Sequence, residues 1–559
     1  MAIFRLFIHR SAALVLLTVT CFATSASGQP PVAAPNNPAA AETRPGSAEK
    51  TGAAPEPSAA ELQREIDSVK TENAVFRDLL RKMEEQQKLL LEQVDRLQRR
   101  LFGDAPTDMA AASQPAVPPT AAGAPVLLAT AAPTPAPPVT APPVTETAAA
   151  AVQEISVAAA PDDERYRDGM VLWEAGDGAK VPFAVKFNVN TQLRYLNTLS
   201  SPDTFTDHLG NVRDVHVRND ITVNRAMFIL GGYVFDRRLR YSFTVWTSAG
   251  AASIVVAGNI GWQFNKALAV TGGYTGVPGS RSLVATFPFF AAIDRSMADN
   301  YFRPGFTQGV WANGEIAKGL NYLVFVGNGL NTLNISASKI DTHLVGSGSL
   351  WWEPLGPFGE PGKARNMYDD YYATDKTRVR FGTSFTRSRE DRFSNLDQSS
   401  PENTSLYNSD GVLTFSTGAF APGVTVDQAT YRMWAMDGGI KRSGFALNGQ
   451  YFLRWLGDME ADGPLPLAST FDHGFELTAG HFVVPRKLQL HVRGSAVYGQ
   501  FGDSSEYGAG VKWYFLPTER IWLTAEVLNV DGAPYSGAFT PYTAGMNGWT
   551  PMVQSVLAF

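Results

Sequence analysis

Many stretches of the carboxyl-terminal part of the chain alternate polar and apolar residues, and basic residues lie among the polar ones. In the first such stretch Lys186 and Arg194 fall on one set of alternating positions, together with asparagine and glutamine. Val185, Phe187 and Val189 fall on the other set. A β-strand places alternate residues on opposite faces, so one face would be cationic and the other apolar. Cationic groups in a narrow aqueous space attract anions, and arginine can donate two parallel hydrogen bonds to an oxyanion. The pattern therefore predicts anion binding.

The candidate anion-binding groups lie on these polar alternates and in one long segment. That segment, residues 277–305, interleaves arginines with aromatic residues, and we predict that it folds into a pore. The alternative is an external loop packed between subunits. The predicted pore-lining or anion-binding residues are Lys186, Arg194, Arg225, Arg240, Arg281, Arg295, Arg303, Arg378, Arg380, Arg432, Arg454, Arg493 and Lys512.

Two alternatives stay open for these basic residues. Any inward arginine could instead form an ion pair with an acid on the same wall, such as Glu476 or Glu526. Arg225 shares an alternate with Ile221 and Val223, so it would face outward unless a β-bulge shifts the phase of the strand.

Alternating runs of this kind recur after residue 165 and predict an all-β transmembrane antiparallel barrel of about sixteen strands. The last run ends on the aromatic residue Phe559, as expected of a strand that needs only about 9–11 residues to span a membrane. A soluble β-sandwich would also alternate, but its polar face would meet bulk solvent. The runs begin near residues 185, 219, 238, 252, 267, 306, 320, 343, 376, 427, 441, 473, 487, 506, 519 and 548.

The links between the runs divide into two classes that would lie at opposite ends of the barrel. Short links predict tight turns at residues 235–238, 437–439, 485–486 and 516–518. Long links predict external loops at residues 196–218, 277–305, 387–426 and 457–473. Both chain termini then lie at the end with the short turns.

The amino-terminal part contains four further segments, which differ in composition. Residues 1–28 read as a signal peptide, with basic residues before a short apolar run that contains the single cysteine, Cys21. Export would leave a chain without disulfides or thiol chemistry. Residues 29–60 are rich in alanine and proline and predict a disordered spacer.

Residues 61–102 predict a coiled coil, because apolar residues recur at steps of three and four with Asn73 and Gln87 at core positions. A solitary amphipathic helix is the alternative. The Pro/Ala-rich residues 103–165 predict an extended linker to the barrel domain, residues 166–559. A coiled coil implies an oligomer.

Several blocks of the barrel domain resemble the phosphate-selective porin O and P family. They are DITVNRAMFILGGYVF at 220–235, DRSMADNYFRPGFTQG at 294–309, YLVFVGNG at 322–329, and DHGFELTAGHFVVP at 472–485, followed by residues 488–497 with Arg493. The resemblance covers roughly residues 171–559 and excludes the coiled coil. It implies a trimeric channel with basic walls and loops folded into the pore.

Together these features predict an outer-membrane porin for passive, anion-preferring diffusion, with its coiled coil in the periplasm. The alternative is a structural tether whose coiled coil links the barrel to the cell wall. Expected partners are outer-membrane lipid, small anions such as phosphate, two further copies in a homotrimer, and a cell-wall component. The net charge of −6 argues against nucleic acid. No enzymatic, cofactor or metal motif is recognised, and the mean hydropathy of −0.11 is too polar for a helical membrane protein.

Overall fold

The computed structural model describes residues 166–559, except for residues 168, 177, 249–252, 285–287, 333–338, 360–366, 397–404 and 538. The predicted signal peptide, spacer, coiled coil and linker lie outside the described residues and remain predictions. None of the helices in the described ranges is both long and apolar enough to cross a membrane.

The described residues form mainly β-strands with very short helices between some of them. The strands are β1 (Met170–Glu174), β2 (Phe183–Asn197), β3 (Thr204–Thr206), β4 (Val212–Asp214), β5 (Asn219–Val234), β6 (Asp236–Ser248), β7 (Ser253–Asn265), β8 (Leu268–Gly276), β9 (Phe306–Ala317), β10 (Leu320–Gly327), β11 (Val345–Trp352), β12 (Arg378–Asp391), β13 (Val426–Arg442), β14 (Phe445–Ala461), β15 (Thr470–Val484), β16 (Leu488–Gly499), β17 (Gly502–Trp513), β18 (Ile521–Asp531) and β19 (Gly548–Ala558). The helices are a 3-10 turn (Arg281–Leu283), α1 (Met297–Phe302) and α2 (Arg392–Asn395).

Sixteen of these strands close into an antiparallel barrel. β2 and the strands from β5 to β19 pair in sequence order, and β19 pairs back onto β2. The predicted antiparallel barrel is thereby confirmed. Each predicted run begins within about four residues of an observed barrel strand.

One short strand, β1, is additional and was not predicted. It pairs with the first part of β2 at Ala184–Phe187, whereas β19 pairs with the same edge of β2 at Asn190–Leu196. Between them, Val189 exchanges two backbone hydrogen bonds with Phe559. β1 therefore continues the edge of β2 beyond the point where the carboxyl-terminal strand ends.

The connections differ at the two ends of the barrel. At one end, which we call the turn end, most links are tight; Ser443 and Gly444 between β13 and β14 both have positive φ, 52° and 82°, as two-residue hairpin turns require. The predicted turn at residues 437–439 is wrong, because these residues lie inside β13. Gly439 is there for packing, since a Cβ would lie 2.7 Å from the Phe358 ring.

Two long segments fold into the barrel from its opposite ends. The lumen loop, residues 277–305, enters from the loop end, and all its described residues except Phe289 are buried. This confirms the prediction that it folds inward. The turn-end loop, residues 353–377, was not predicted, although Pro354, Gly356 and Pro357 begin a run of turn-forming residues that could have indicated it.

The strand alternation separates an outer apolar face from an inner face. Side chains on the outer alternates are exposed and apolar around the barrel, including Phe228, Leu230, Phe243, Val256, Ile260, Val310, Val324, Phe381, Phe385, Trp434, Leu477, Leu490, Val492, Val527 and Val553. The main buried cluster lies inside, where the lumen loop and the loop-end connections pack on the wall through residues such as Phe302, Tyr431 and Phe452.

Candidate functional site

The inner face of the barrel consists of two unlike walls. We call the inner face of β12–β19 the filled wall, because its side chains are mostly buried against the two inward-folded loops. We call the inner face of β5–β8, with the first half of β2, the open wall. Most of its side chains are half-exposed: they include Met227, Ile229, Ser242, Thr244, Ala257, Asn259 and Thr271.

Carboxylates of the filled wall hold the backbone of the lumen loop. The N–H of Met297 donates to Oε1 of Glu506 over 2.9 Å, and the N–H of Ile293 donates to Oε2 of Glu526 over 3.0 Å. Hydrogen bonds to a charged acceptor are stronger than those between neutral groups. Glu506 and Glu526 therefore fasten the loop; the sequence suggested Glu526 only as a partner for lumen arginines.

Ser296 starts helix α1 and ties it to the same wall. Its hydroxyl oxygen accepts the N–H of Asp299 over 3.0 Å, which is the N-cap bond of the helix, and its O–H donates to Glu476. Serine at this position satisfies a helix donor that otherwise has no partner. The helix is consequently fixed in one orientation against the wall.

Asp294 of the lumen loop forms the central ion pair with the barrel. Its Oδ2 lies 2.6 Å from Nη2 of Arg194 and 3.1 Å from Nη1 of Arg225, and all three side chains are about 1% exposed. Burial alone would raise the pKa of Asp294, but the charges of Arg225, Arg194 and Arg295 hold it below its usual range. These two arginines thus bind the loop and are not open to passing ions.

A β-bulge turns Arg225 inward. The register between β2 and β5 shifts between Gln192 and Leu193, so that no residue of β2 lies directly opposite Asn224 and Arg225 pairs with Gln192. A bulge inserts one residue and reverses the phase of the alternation beyond it. Arg225 therefore faces the lumen even though it follows the outward-facing Ile221 and Val223 in the sequence pattern.

Arg454 and Arg493 are buried in the filled wall with acid partners. Nη2 of Arg454 lies 2.7 Å from Asp472, and its guanidinium sits 4.0 Å from the centre of the Tyr301 ring. Nε of Arg493 lies 2.8 Å from Glu526. Such pairs compensate the cost of burying each charge, which makes them part of the packing.

Arg281 and Lys512 connect to the turn-end loop. Nη2 of Arg281 donates to the carbonyl of Met367 over 2.5 Å, and its guanidinium lies 4.6 Å from the Tyr368 ring centre. Nζ of Lys512 lies 2.8 Å from Asp369. The two loops thus meet over the filled wall through cations that were expected to bind a solute.

Four further candidate residues lie close to the loops. Arg295 and Arg303 are buried within the lumen loop, the former 3.7 Å from Asp299. Arg380 is paired with Asp437 at 2.8 Å. Arg378 donates to a backbone carbonyl of the turn-end loop.

Arg432 was expected to face inward, and this orientation is corrected by the structure. It lies on β13 between the buried, inward residues Tyr431 and Met433, and its partner across β14 is the outward Trp455. Pairing with β12 sets this phase: Tyr431 lies opposite the buried Ser388, and Arg432 lies opposite Arg387. The sequence pattern does not indicate this register. Arg432 pairs with Asp458 over 2.5 Å on the outside.

Lys186 and Arg240 line a cavity inside the barrel. It has a volume of about 720 Å³ and is bounded by the open wall near the turn end. Arg167 and Arg237 also line it, and the acid on its lining is Glu174. Glu174 is paired with Arg167 and accepts the hydroxyl of Tyr233 over 2.9 Å. The charged lining of this cavity is therefore four basic residues and one acid.

Within the described ranges, no three histidine, aspartate or glutamate side chains lie close enough to bind a metal ion. The residues that sequence reasoning missed are the acceptors Asp294 and Glu506 and the glycine Gly231. Each is ordinary in its sequence context, and its role depends on which distant strand or loop it faces.

Comparison with known proteins finds similarity in fold at low sequence identity. No family model matches the chain, and no curated protein matches it. Among solved structures, OmpT of Vibrio cholerae is 13% identical with a TM-score of 0.42, covering 67% of this chain and 98% of that one. An anion-selective porin from Comamonas acidovorans is 10% identical with a TM-score of 0.40, covering 68% and 100%. The outer-membrane channel DcaP of Acinetobacter baumannii is 9% identical with a TM-score of 0.38, covering 69% and 100%.

Proposed function

We propose that the protein is an outer-membrane channel through which small solutes diffuse passively, with a preference for anions such as phosphate. The observation that carries the proposal is the 720 Å³ cavity along the open wall, whose charged lining residues are four basic groups and one acid. The apolar outer face supports insertion in a membrane, because transmembrane barrels carry such a belt.

The anion preference follows from which charges water can reach. Arginines of the filled wall and the lumen loop are buried with acids or backbone carbonyls and add little net field to an aqueous path. Arg240 is exposed to the lumen, and among the described residues no acid forms an ion pair with it. A basic patch in a narrow aqueous space with low-dielectric walls raises the local concentration of anions.

The remaining features of the proposal concern assembly and location. The coiled coil predicted at residues 61–102 would join three copies, and the linker predicted at residues 103–165 would hold it in the periplasm. The described part of the chain begins and ends at the turn end of the barrel. The turn end would then face the periplasm.

The test is the reversal potential of the purified full-length protein in a planar bilayer under a KCl gradient. We expect open channels and a potential on the anion side. A zero or cation-side potential contradicts the anion preference while leaving a general porin. If a folded barrel forms no channels, diffusion is refuted, and the tether becomes the better explanation. In that case deleting residues 61–102 should weaken attachment of the envelope.

A further inference from the structure

We infer that Lys186 and Arg240, separated by the space over Gly231, form a binding site for one small oxyanion, such as inorganic phosphate, at the turn end of the channel. The inference rests on the proposed channel function and deepens it. It assigns solute contact to the open wall, whereas the lumen loop serves to narrow the passage.

Strand pairing brings the two cations to opposite sides of one gap. Lys186 of β2 pairs with Gly231 of β5, which pairs with Ser242 of β6. Arg240 lies two residues from Ser242 on the same inner face. Neighbouring strands are about 4.8 Å apart, so the backbones of β2 and β6 are about 10 Å apart, within reach of two long side chains and one small anion between them.

Gly231 provides the space between these side chains. Its φ is not in the left-handed region, and the nearest atom to a Cβ built there would be the Tyr241 carbonyl oxygen, at an ordinary 3.4 Å. The fold therefore does not require glycine at this position. A side chain added here would project into the cavity and not into the wall.

The donors around the gap suit an oxyanion better than a halide. The arginine fork can bond two oxygens of one anion, and the lysine ammonium adds a compact charge. A hydrogen bond of 2.6 Å from Nζ of Lys186 to the Arg167 carbonyl holds the ammonium at the cavity lining. Ser242 and Asn259 add neutral polar groups on the same row.

The acid near the gap is already engaged. Glu174 is paired with Arg167 and receives the Tyr233 hydroxyl, so its charge is locally compensated. The side of the gap that faces Lys186 and Arg240 therefore keeps a positive potential. A site of two cations is weak enough for the ion to leave again, as conduction requires.

The experiment measures block of chloride current by inorganic phosphate through single channels of the full-length protein. We expect Arg240→Gln and Lys186→Gln each to raise the half-blocking phosphate concentration about fivefold or more, because each removes a charged donor. Gly231→Leu should abolish the block and lower conductance by filling the gap. The matched control is Arg238→Gln, on the same strand but paired with Asp236 at the rim, which should leave the block unchanged.

The outcomes separate this inference from the proposed function. Folding of each variant is checked by its heat-modifiable electrophoretic mobility. If the variants conduct and the block matches that of Arg238→Gln, phosphate binds elsewhere and the site is refuted, although the channel stands. If the wild-type protein forms channels that phosphate never blocks, the site is also refuted. If the wild-type protein forms no channels, both the proposed channel function and the oxyanion site are refuted.

Discussion

The filled wall and the open wall are built from the same kind of strand, but their inward side chains differ in size and in exposure to water. On the filled wall the inner positions carry large or charged side chains, such as Arg454, Arg493 and Glu506, and they are buried. On the open wall the inner positions carry mainly small polar or apolar residues, such as Ser242 and Ala257, and they remain half-exposed.

This difference shows that the role of a charge inside a barrel depends on what covers it. Buried charges must be paired and hydrogen-bonded, so the charged side chains of the filled wall bind the inward-folded loops. On the open wall, Arg225 is likewise buried with Asp294, whereas Lys186 and Arg240 line an accessible cavity. Four ways to break or sharpen the contrast follow, from the largest expected effect to the smallest.

Replacing Asp294 by asparagine should have the largest effect, because it leaves the buried Arg194 and Arg225 without their carboxylate. We expect a loss of about 3–5 kcal/mol in the free energy of unfolding, or release of the lumen loop with larger and noisier single-channel currents. Urea unfolding followed by heat-modifiable mobility measures the first, and bilayer recording the second.

The matched control is Asp236→Asn, which removes an equivalent aspartate–arginine pair from the exposed rim. Exposed pairs contribute little because water screens them, so stability should not change measurably. Equal effects of the two substitutions would show that the Asp294 pair does not fasten the loop.

A phenylalanine placed on either wall should separate stability from conductance. Ala435→Phe overpacks the filled wall, where Ala435 is 1% exposed, and should cost about 1–3 kcal/mol with little change in conductance. Ala257→Phe adds the same ring to the half-exposed open wall and should lower conductance with a stability change within about 0.5 kcal/mol. If instead Ala435→Phe lowered conductance and Ala257→Phe lowered stability, ions would pass along the filled wall.

The contribution of the Asp294 ion pair should persist in mildly acidic solution. Its pKa is lowered in the folded protein, although burial opposes this, by Arg225, Arg194 and Arg295. Its stabilisation is therefore complete above the unfolded value of about 3.9 and is lost as the pH falls through the lower folded value. The difference in unfolding free energy between the wild type and Asp294→Asn should be constant from pH 7 to about 5 and fall only below about pH 4. A decline already near pH 6 would contradict the assignment.

Neutralising Arg432 should have the smallest effect. This arginine faces outward and pairs with Asp458, so Arg432→Gln should leave the reversal potential and the stability of the barrel unchanged. Arg240→Gln, measured in the same KCl gradient, should move the potential toward the cation side. A shift from Arg432→Gln as large as that from Arg240→Gln would contradict the orientation of β13.

The sequence by itself determined the barrel and the positions of its strands. Alternation of apolar and polar residues is a local property, because each strand must present one face to an apolar exterior and the other to the interior. Each strand start was for that reason placed within about four residues. The interleaved arginines and aromatic residues of 277–305 also favoured an inward fold, although an external loop between subunits remained the alternative until the buried contacts of the segment were known.

Tertiary structure alone decided which charges meet water. The orientation of Arg225 depended on a bulge of one residue, and that of Arg432 on its register with β12. The burial of the filled-wall arginines depended on loops that approach from both ends. Lys186 and Arg240 line one cavity because β5, with Gly231, lies between their strands. A charge pattern along one strand cannot reveal these facts, since the energy of a charge inside a protein depends on partners and solvent access that distant segments supply.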